Sequence, residues 1–210
     1  MTESEQRNLA VKLFRDIPEL VDTVKDTDNC YASIIKVASK YREKILSKGT
    51  DSWPPAWAYY WARHIGDADT MRPLVTTSEH AYYWARDIGD ADIMRPLITD
   101  SEYAYFWALE FPPDRDTMRP LITTSEYAYL WALYIGDADT MRPLITDSRF
   151  AYLWARYIGD ADIMRPLITT SVDAYHWAFN IGDADIMRPL ITEEPWKYFF
   201  ESIVTTNAQV

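Results

Sequence analysis

Pairs of aspartates at a fixed spacing are the residues of this sequence that could do chemistry. Each pair has the form Asp-x-Asp, and together the pairs form what we call the acidic rail: Asp67, Asp69, Asp90, Asp92, Asp114, Asp116, Asp137, Asp139, Asp160, Asp162, Asp183 and Asp185. Carboxylate oxygens are the ligands that calcium prefers, and a row of negative charges can resemble the phosphates of DNA. Aspartates also cap helices and interact favourably with the positive end of the helix dipole.

Two quantities decide between these uses of the rail. Calcium takes about six to eight oxygen ligands, yet an arginine follows the second aspartate of each pair by three residues, as Arg95 follows Asp92. The repeats carry roughly −2 each, whereas duplex DNA carries roughly five to six charges over the 8–10 Å that separates packed helices. We therefore predict helix capping and a local Asp–Arg pair, and we keep DNA mimicry as the alternative.

The other reactive groups form no constellation in the sequence. His64, His80 and His176 occupy different positions of the repeat and have no partner at metal-ligand spacing, so we expect ordinary surface residues and no metal site. Cys30 is the only cysteine, which excludes an internal disulfide and fits a reducing compartment. There is no nucleophile motif and no glycine-rich phosphate loop. The sequence predicts no catalytic residue, no cofactor and no enzyme activity.

A tandem repeat supplies the elements that hold the aspartates. The triplet Met-Arg-Pro recurs at spacings of 23, 24, 23, 23 and 23 residues, from Met71 to Met187. In the unit 78–100, one helical face is apolar at positions i, i+3, i+4 and i+7, which are Ala81, Trp84, Ala85 and Ile88. We expect Ser78 to cap this long helix and Gly89 to end it in a left-handed conformation.

The second half of the unit predicts a shorter helix. Met94, Leu97 and Ile98 form its apolar stripe. Proline is not tolerated deep in an α-helix, so we expect the helix to start at Asp92 and to place Pro96 near its first turn, with part of the helix in 3₁₀ form. Each unit is then a helical hairpin that is too small to bury its own stripe.

Stacking of these hairpins predicts the fold class. The expected protein is all-α, an α-solenoid of six short helical-hairpin repeats over residues 50–193. Residues 1–49 are read as an N-terminal helical cap, and residues 194–210 as a C-terminal cap and tail. Both caps would cover the apolar faces that the end repeats leave open.

The net negative charge is confined to the repeats. Of the net −11, residues 50–193 account for all, with 22 acidic residues against 11 arginines, and every lysine lies outside them. This excludes direct binding of nucleic acid and of an anionic membrane. No apolar run approaches the roughly 18 residues of a membrane span, and the first residues do not have the pattern of a signal peptide. We therefore expect a cytoplasmic protein.

One face of the long helix varies from repeat to repeat while the core positions do not. In repeats three to five this variable aromatic face is mostly apolar and lies opposite the Ala/Trp stripe. Its residues are Tyr103, Phe106, Leu109, Tyr127, Leu130, Leu133, Tyr134, Phe150, Leu153 and Tyr157. An exposed patch of this kind marks a partner site; the alternative is that it packs on adjacent repeats or on a second chain. Beside it, Phe111-Pro112-Pro113 replaces the usual turn and removes the glycine.

The repeat resembles the short tandem helical repeats of some large phages, giant viruses and bacteria. The matching letters are Ala128-Tyr129-x-Trp131-Ala132, Gly136 and Pro143-Leu144-Ile145, whereas the segment from Asp137 to Arg142 departs from that pattern. The resemblance covers roughly residues 55–192. It implies an architecture and brings no catalytic residues with it.

Two function hypotheses follow from the sequence. The first is a non-enzymatic scaffold that binds another protein, or a second copy of itself, through the variable aromatic face. The alternative is an acidic inhibitor encoded by a phage or virus, which would act in the host cytoplasm and occupy a nucleic-acid site of a defence protein through the acidic rail.

Overall fold

The computed structural model describes residue 35, residues 38–47, 49–51 and 53–207, with backbone only for 203–207. The contacts divide it into two units, one ending at Ile98 and the other beginning at Thr99. Within the described residues the secondary structure is helical, with no strand. The prediction of an all-α fold is therefore confirmed, and each unit is a stretch of α-solenoid built from short helical hairpins.

The first unit contains five described α-helices: α1 Arg42–Leu46, α2 Pro55–His64, α3 Ala68–Met71, α4 Ser78–Asp87 and α5 Ala91–Met94. The second contains nine: α6 Ser101–Glu110, α7 Arg115–Met118, α8 Ser125–Tyr134, α9 Ala138–Met141, α10 Ser148–Tyr157, α11 Ala161–Met164, α12 Ser171–Asn180, α13 Ala184–Met187 and α14 Trp196–Asn207. Each long helix packs on its short partner, and neighbouring long helices of the same unit pack side by side.

The core follows the predicted apolar stripe, except that one residue is added to it and another is only half-buried. Trp84 and Ala81 are completely buried, and the same holds for the tryptophan and alanine at these positions in the other repeats. Met94 and Ile98 close the core from the short helix and its connector. Ile88, which we expected in the stripe, is only half-buried, and Tyr82 is buried instead. The buried face of the long helix is thus wider than the sequence pattern indicated.

The short helix matches its prediction except at its start. It begins at Ala91 rather than Asp92, and after Met94 it tightens into a 3₁₀ turn over Arg95–Leu97. Pro96 lies in the first turn of that 3₁₀ segment, where its missing N–H costs no hydrogen bond. Asp90 precedes the helix but its carboxylate makes no capping hydrogen bond, so the predicted side-chain cap at this residue is wrong.

The expected cap of the long helix is also wrong. Thr77 is the capping residue, because its hydroxyl accepts a hydrogen bond from the backbone N–H of His80. Ser78 lies one residue inside the helix, where it is buried and donates to the carbonyl of Leu97 at 3.2 Å. Ser101 does the same with the carbonyl of Leu121 at 2.9 Å. In α4, α6, α8 and α12 this serine fastens the start of the long helix to the end of the same hairpin.

A three-residue turn joins the long and short helices in every repeat except the third. In the fifth repeat Gly159 has φ +127°, which confirms the predicted role of the glycine, and its N–H donates to the carbonyl of Trp154 at 3.0 Å. Asp160 follows with φ +61°, a left-handed conformation that the sequence did not reveal. In repeat three the turn is instead a 3₁₀ segment, Pro112–Asp114. The extra residue there lets the chain reach the short helix without positive φ angles.

The structure describes less of the predicted N-terminal cap than of the predicted C-terminal cap. Most of the predicted N-terminal cap, including Cys30, lies outside them, and α1 is the part with a described helix. At the other end α14 packs on α12, the last long helix of the repeats, and buries Phe200. That arrangement agrees with a C-terminal helix covering the final repeat.

Candidate interaction surfaces

The ten residues of the variable aromatic face lie on α6, α8 and α10, all in the second unit. None of them is buried. Leu109, Tyr134 and Tyr157 are 40%, 64% and 55% exposed, and the other seven are half-buried. The three exposed residues occupy the carboxyl-terminal ends of their helices. The helical period explains this placement, because the opposite face of each helix carries the buried alanine and tryptophan.

The half-buried members of this face pack between neighbouring helices. The rings of Tyr105 on α6 and Tyr127 on α8 have centroids 5.9 Å apart, and those of Tyr129 on α8 and Phe150 on α10 are 6.1 Å apart. Within α6, Tyr103 and Phe106 meet at 6.1 Å. The variable residues therefore form a continuous apolar layer along α6, α8 and α10, with the exposed rings at one edge.

A tyrosine at the same position of every repeat is the feature that sequence reasoning missed. Its invariance from repeat to repeat was the available signal, since the neighbouring positions vary: Tyr59, Tyr82, Tyr105, Tyr129, Tyr152 and Tyr175. In α10 the hydroxyl of Tyr152 accepts a hydrogen bond from Arg156 at 2.6 Å and another from Asn180 at 3.0 Å. The position links each long helix to the next one in the same unit.

In the first unit the same tyrosine belongs to a charged cluster. The hydroxyl of Tyr59 donates to Asp87, and Arg63 reaches both groups, at 2.5 Å from the hydroxyl and 2.7 Å from the carboxylate. Arg86 also pairs with Asp87, at 2.8 Å. These hydrogen bonds hold the pKa of the Asp87 carboxyl below its usual range, while burial is the largest cause that raises the pKa of Tyr59 to about 12. In the first unit this part of the long-helix surface is therefore polar, and two arginines share one carboxylate.

Carboxylates border the aromatic face on α6 and α8. Glu102 and Glu126 are exposed near the amino-terminal ends of these helices, and Glu110 is exposed at the end of α6. Burial, followed by the charges of Glu102, Glu126 and Asp100, raises the pKa of Tyr127 to about 12. The aromatic surface over α6 and α8 thus lies in a negative potential.

The acidic rail is a ladder of ion pairs. All six predicted local pairs are present: Asp69–Arg72 at 2.8 Å, Asp92–Arg95, Asp116–Arg119 at 2.6 Å, Asp139–Arg142 at 2.6 Å, Asp162–Arg165 at 2.7 Å and Asp185–Arg188 at 3.7 Å. The prediction of the Asp–Arg pair is confirmed. The second aspartate of each pair nevertheless keeps a side chain that is 86–98% exposed.

The first aspartate of each pair has a use that the sequence did not show. Arg142 donates to Asp160 of the next repeat at 2.8 Å while it also holds Asp139. Ion pairs at the same positions join Arg72 to Asp90, Arg119 to Asp137 and Arg165 to Asp183. In repeats one and three the first aspartate also accepts the indole N–H of the core tryptophan, as Asp114 does from Trp107 at 2.9 Å.

This geometry limits what the rail can do chemically. Each guanidinium of the ladder shares its charge between carboxylates, so the rail is far less negative than its aspartate count indicates. Among the described residues no group of three or more histidine, cysteine or acidic side chains is placed to hold a metal ion. The row of exposed outer carboxylates remains available to a cationic surface.

The three histidines are half-buried or packed against aromatic rings. His80 is half-buried, and burial lowers its pKa. His176 stacks on Tyr152 at 5.8 Å and contacts Trp196 at 5.4 Å. His64 is exposed and stacks on Tyr60 at 6.5 Å. The expectation of ordinary surface residues holds for His64 but not for the other two, which serve packing.

Comparisons of the chain with protein-family models, with curated proteins and with solved structures find no match. In the part of the chain that the structure describes, no helix has the length and apolar character needed to cross a membrane.

Proposed function

We propose that this chain is a non-enzymatic scaffold that binds a partner protein through the variable aromatic face of repeats three to five. The observation that carries the proposal is the exposure of Leu109, Tyr134 and Tyr157 at equivalent ends of neighbouring long helices. Large exposed apolar side chains in a contiguous patch are typical of protein–protein interfaces, and tyrosine is enriched at their energetic centres.

The pattern of variation supports the same proposal. The Ala, Trp and Tyr positions of the long helix repeat almost unchanged and are buried, whereas the variable positions lie at the surface of the helical layer. Packing explains the constant positions, because every hairpin must fit the next one. The exposed residues among the variable positions, Leu109, Tyr134 and Tyr157, are relieved of that requirement and are available to recognise a partner.

We further propose that the protein acts in the cytoplasm, which would be the host cytoplasm if the chain is viral. The single cysteine among 210 residues suits a reducing compartment.

A capture experiment tests this function. The substitutions Leu109→Ser and Tyr134→Ser remove exposed apolar surface without changing charge, and Ile163→Ser with Ile186→Ser is a matched control because these isoleucines are 55% and 53% exposed on short helices of the same unit. We expect wild type and the control to retain the same protein from a lysate of the source cells. The Leu109/Tyr134 variant should lose it while keeping wild-type helicity by circular dichroism.

Titration of the purified partner then gives the affinities, and light scattering shows whether the partner is a second copy. A loss of affinity of about tenfold or more is expected for two residues at the centre of an interface. Equal affinities for all three forms would overturn the proposal.

The acidic inhibitor is a second candidate because the outer carboxylates of the rail are almost fully exposed in a regular row. It predicts that Asp139→Asn with Asp162→Asn abolishes binding, that added salt weakens binding strongly, and that the Leu109/Tyr134 variant binds normally. The same capture experiment separates the two candidates.

A further inference from the structure

The aromatic face differs in charge from one helix to the next. The helices α6 and α8 carry three exposed carboxylates, Glu102, Glu110 and Glu126, and their sequences contain no basic residue. The neighbouring helix α10 has the opposite character, with Arg149 and Arg156 and no acidic residue. The acidic part of the face is therefore limited to α6 and α8.

The carboxylates act on the aromatic surface itself. Burial, followed by the charges of Glu102, Glu126 and Asp100, raises the pKa of Tyr127. The exposed rings and side chains between the carboxylates are those of Tyr134 and Leu109. A group bound there would contact apolar side chains and would lie close to carboxylates.

On α10 the arginines are already engaged. Arg156 donates to the hydroxyl of Tyr152 at 2.6 Å and lies over the ring of Tyr157, 5.1 Å from its centroid. Arg149 lies over the ring of Phe150 at 5.9 Å. These contacts direct the two guanidinium groups to rings and a hydroxyl of α10 itself, although they keep their positive charge. Arg115 donates to the carbonyl of Ala108 on α6 at 3.1 Å. The carboxylates that border the exposed residues of α6 and α8 are those of Glu102, Glu110 and Glu126.

Charge also decides against a second copy of the chain at this site. Two copies carry −11 each, and residues 99–210 alone have 17 acidic residues against 8 basic ones. A pairing of two copies with its twofold axis between α6 and α8 would bring their like-charged carboxylates together, which is unfavourable. The complementary occupant is cationic and apolar.

We propose that the face formed by α6 and α8 binds a basic, apolar peptide segment of a partner protein. This inference rests on the proposed scaffold function and names the chemistry of its partner. An arginine of the segment would stack on the exposed ring of Tyr134 and pair with Glu110, because a guanidinium combines cation–π contact with carboxylate binding. Its apolar side chains would pack on Leu109 and on the half-buried residues between the helices.

Helix spacing adds a constraint on the segment. Packed helices lie about 8–10 Å apart, and a polyproline II segment rises about 3.1 Å per residue with three residues per turn. Side chains three residues apart in such a segment point to the same side, about 9 Å apart, and can therefore reach α6 and α8 in turn. Basic and apolar residues at this spacing would fit the face.

A selection experiment with a defined probe tests the inference. A random nonapeptide library displayed on phage is selected on the wild-type chain after depletion on the Leu109→Ser/Tyr134→Ser variant. We expect the enriched peptides to gain arginine and lysine together with apolar residues and to lose acidic ones. One enriched peptide is then synthesised, and its binding is measured by fluorescence anisotropy at low and high salt.

The charge variants decide the outcome. Glu102→Gln/Glu110→Gln/Glu126→Gln should lower the affinity for the peptide by about tenfold or more, because three ion pairs at the rim each contribute modestly to the binding free energy. The rail variant Asp139→Asn/Asp162→Asn/Asp185→Asn removes the same number of charges and should change binding by less than about twofold. Equal weakening by both variants would show unspecific attraction and overturn the inference.

The experiments distinguish an error in this inference from an error in the proposed scaffold function. Enriched peptides that are neutral or acidic would overturn the basic partner while leaving the aromatic face as a binding surface. A library that yields nothing above the depleted background would overturn recognition of a short segment. The capture experiment with the Leu109/Tyr134 variant tests the scaffold independently in both cases.

Discussion

At the scale of single residues, the core tryptophans differ in whether their indole N–H is satisfied. Trp107 donates to Asp114 at 2.9 Å, whereas Trp154, equally buried at the same repeat position, has no hydrogen-bond partner for its Nε1. Trp84, Trp131 and Trp177 resemble Trp154 in this respect. A buried unpaired donor costs free energy, so these residues are retained for the volume that they fill between hairpins.

This difference predicts unequal effects of the same substitution. Trp107→Phe should lower the free energy of unfolding by about 1 kcal/mol more than Trp154→Phe, because it also removes a hydrogen bond to a carboxylate. The loss of ring volume is common to both variants and cancels in the comparison. Chemical unfolding followed by circular dichroism measures the two values, and a larger loss for Trp154→Phe would contradict the hydrogen bond to Asp114.

At the scale of elements, the turn between the two helices of a hairpin depends on two consecutive residues with positive φ. Gly159 adopts φ +127° and Asp160 φ +61°. The carbonyl of Asp160 then accepts hydrogen bonds from Ile163 at 2.9 Å and Met164 at 3.1 Å, which begins the short helix. Aspartate tolerates the left-handed conformation better than most residues do, because its short polar side chain can bond locally.

The conformation at Asp160 can be tested without its ion pair. Asp160→Gly and Asp160→Ala both lose the bond to Arg142, but only glycine adopts the left-handed conformation without strain. The alanine variant should therefore be less stable than the glycine variant by about 1 kcal/mol. Thermal unfolding measures the difference.

Repeat three supplies the control for this comparison. Asp114 precedes the short helix at the equivalent place but has φ −93°, so Asp114→Gly should have no advantage over Asp114→Ala. An equal advantage of glycine at both sites would show that the left-handed backbone is not the cause.

At the scale of the whole molecule, arginines distribute the negative charge of the repeats. In the second unit Arg119, Arg142 and Arg165 each bridge an aspartate of their own repeat and one of the next. Exposed ion pairs are individually weak, but a network in register adds a similar contribution at each of these junctions. The ladder is the reason that a chain with a net charge of −11 can stack its acidic turns on one another.

Removing one arginine of the ladder gives a prediction about how stability depends on salt concentration. Arg142→Gln should lower the melting temperature more than Arg149→Gln, because Arg149 lies over the ring of Phe150 while Arg142 holds two carboxylates. Both variants change the net charge equally. The gap between them should narrow as potassium chloride is raised, since salt screens exposed charge pairs. A gap that is unchanged by salt would exclude the ion pairs as its source.

Local interactions explain what was predictable from the sequence. The repeat period, the two helices of each hairpin, the glycine turn and the Asp–Arg pairs three residues apart, such as Asp92 with Arg95, depend on side chains within one or two helical turns. Sterics and side-chain spacing at that range are set by the order of the residues alone. The variable aromatic face was placed opposite the core for the same reason, although its half-burial by neighbouring helices was not foreseen.

Other roles were decided only when one hairpin was placed against the next. Ser78 bonds a carbonyl 19 residues away, Arg142 reaches an aspartate 18 residues away, and Tyr152 reaches Asn180 across 28 residues. Periodicity shows which side of a helix is buried, but not the distance and rotation between successive hairpins. Those quantities come from the packing of the tryptophan layer. They decide which polar groups meet and which of the aromatic residues stay exposed.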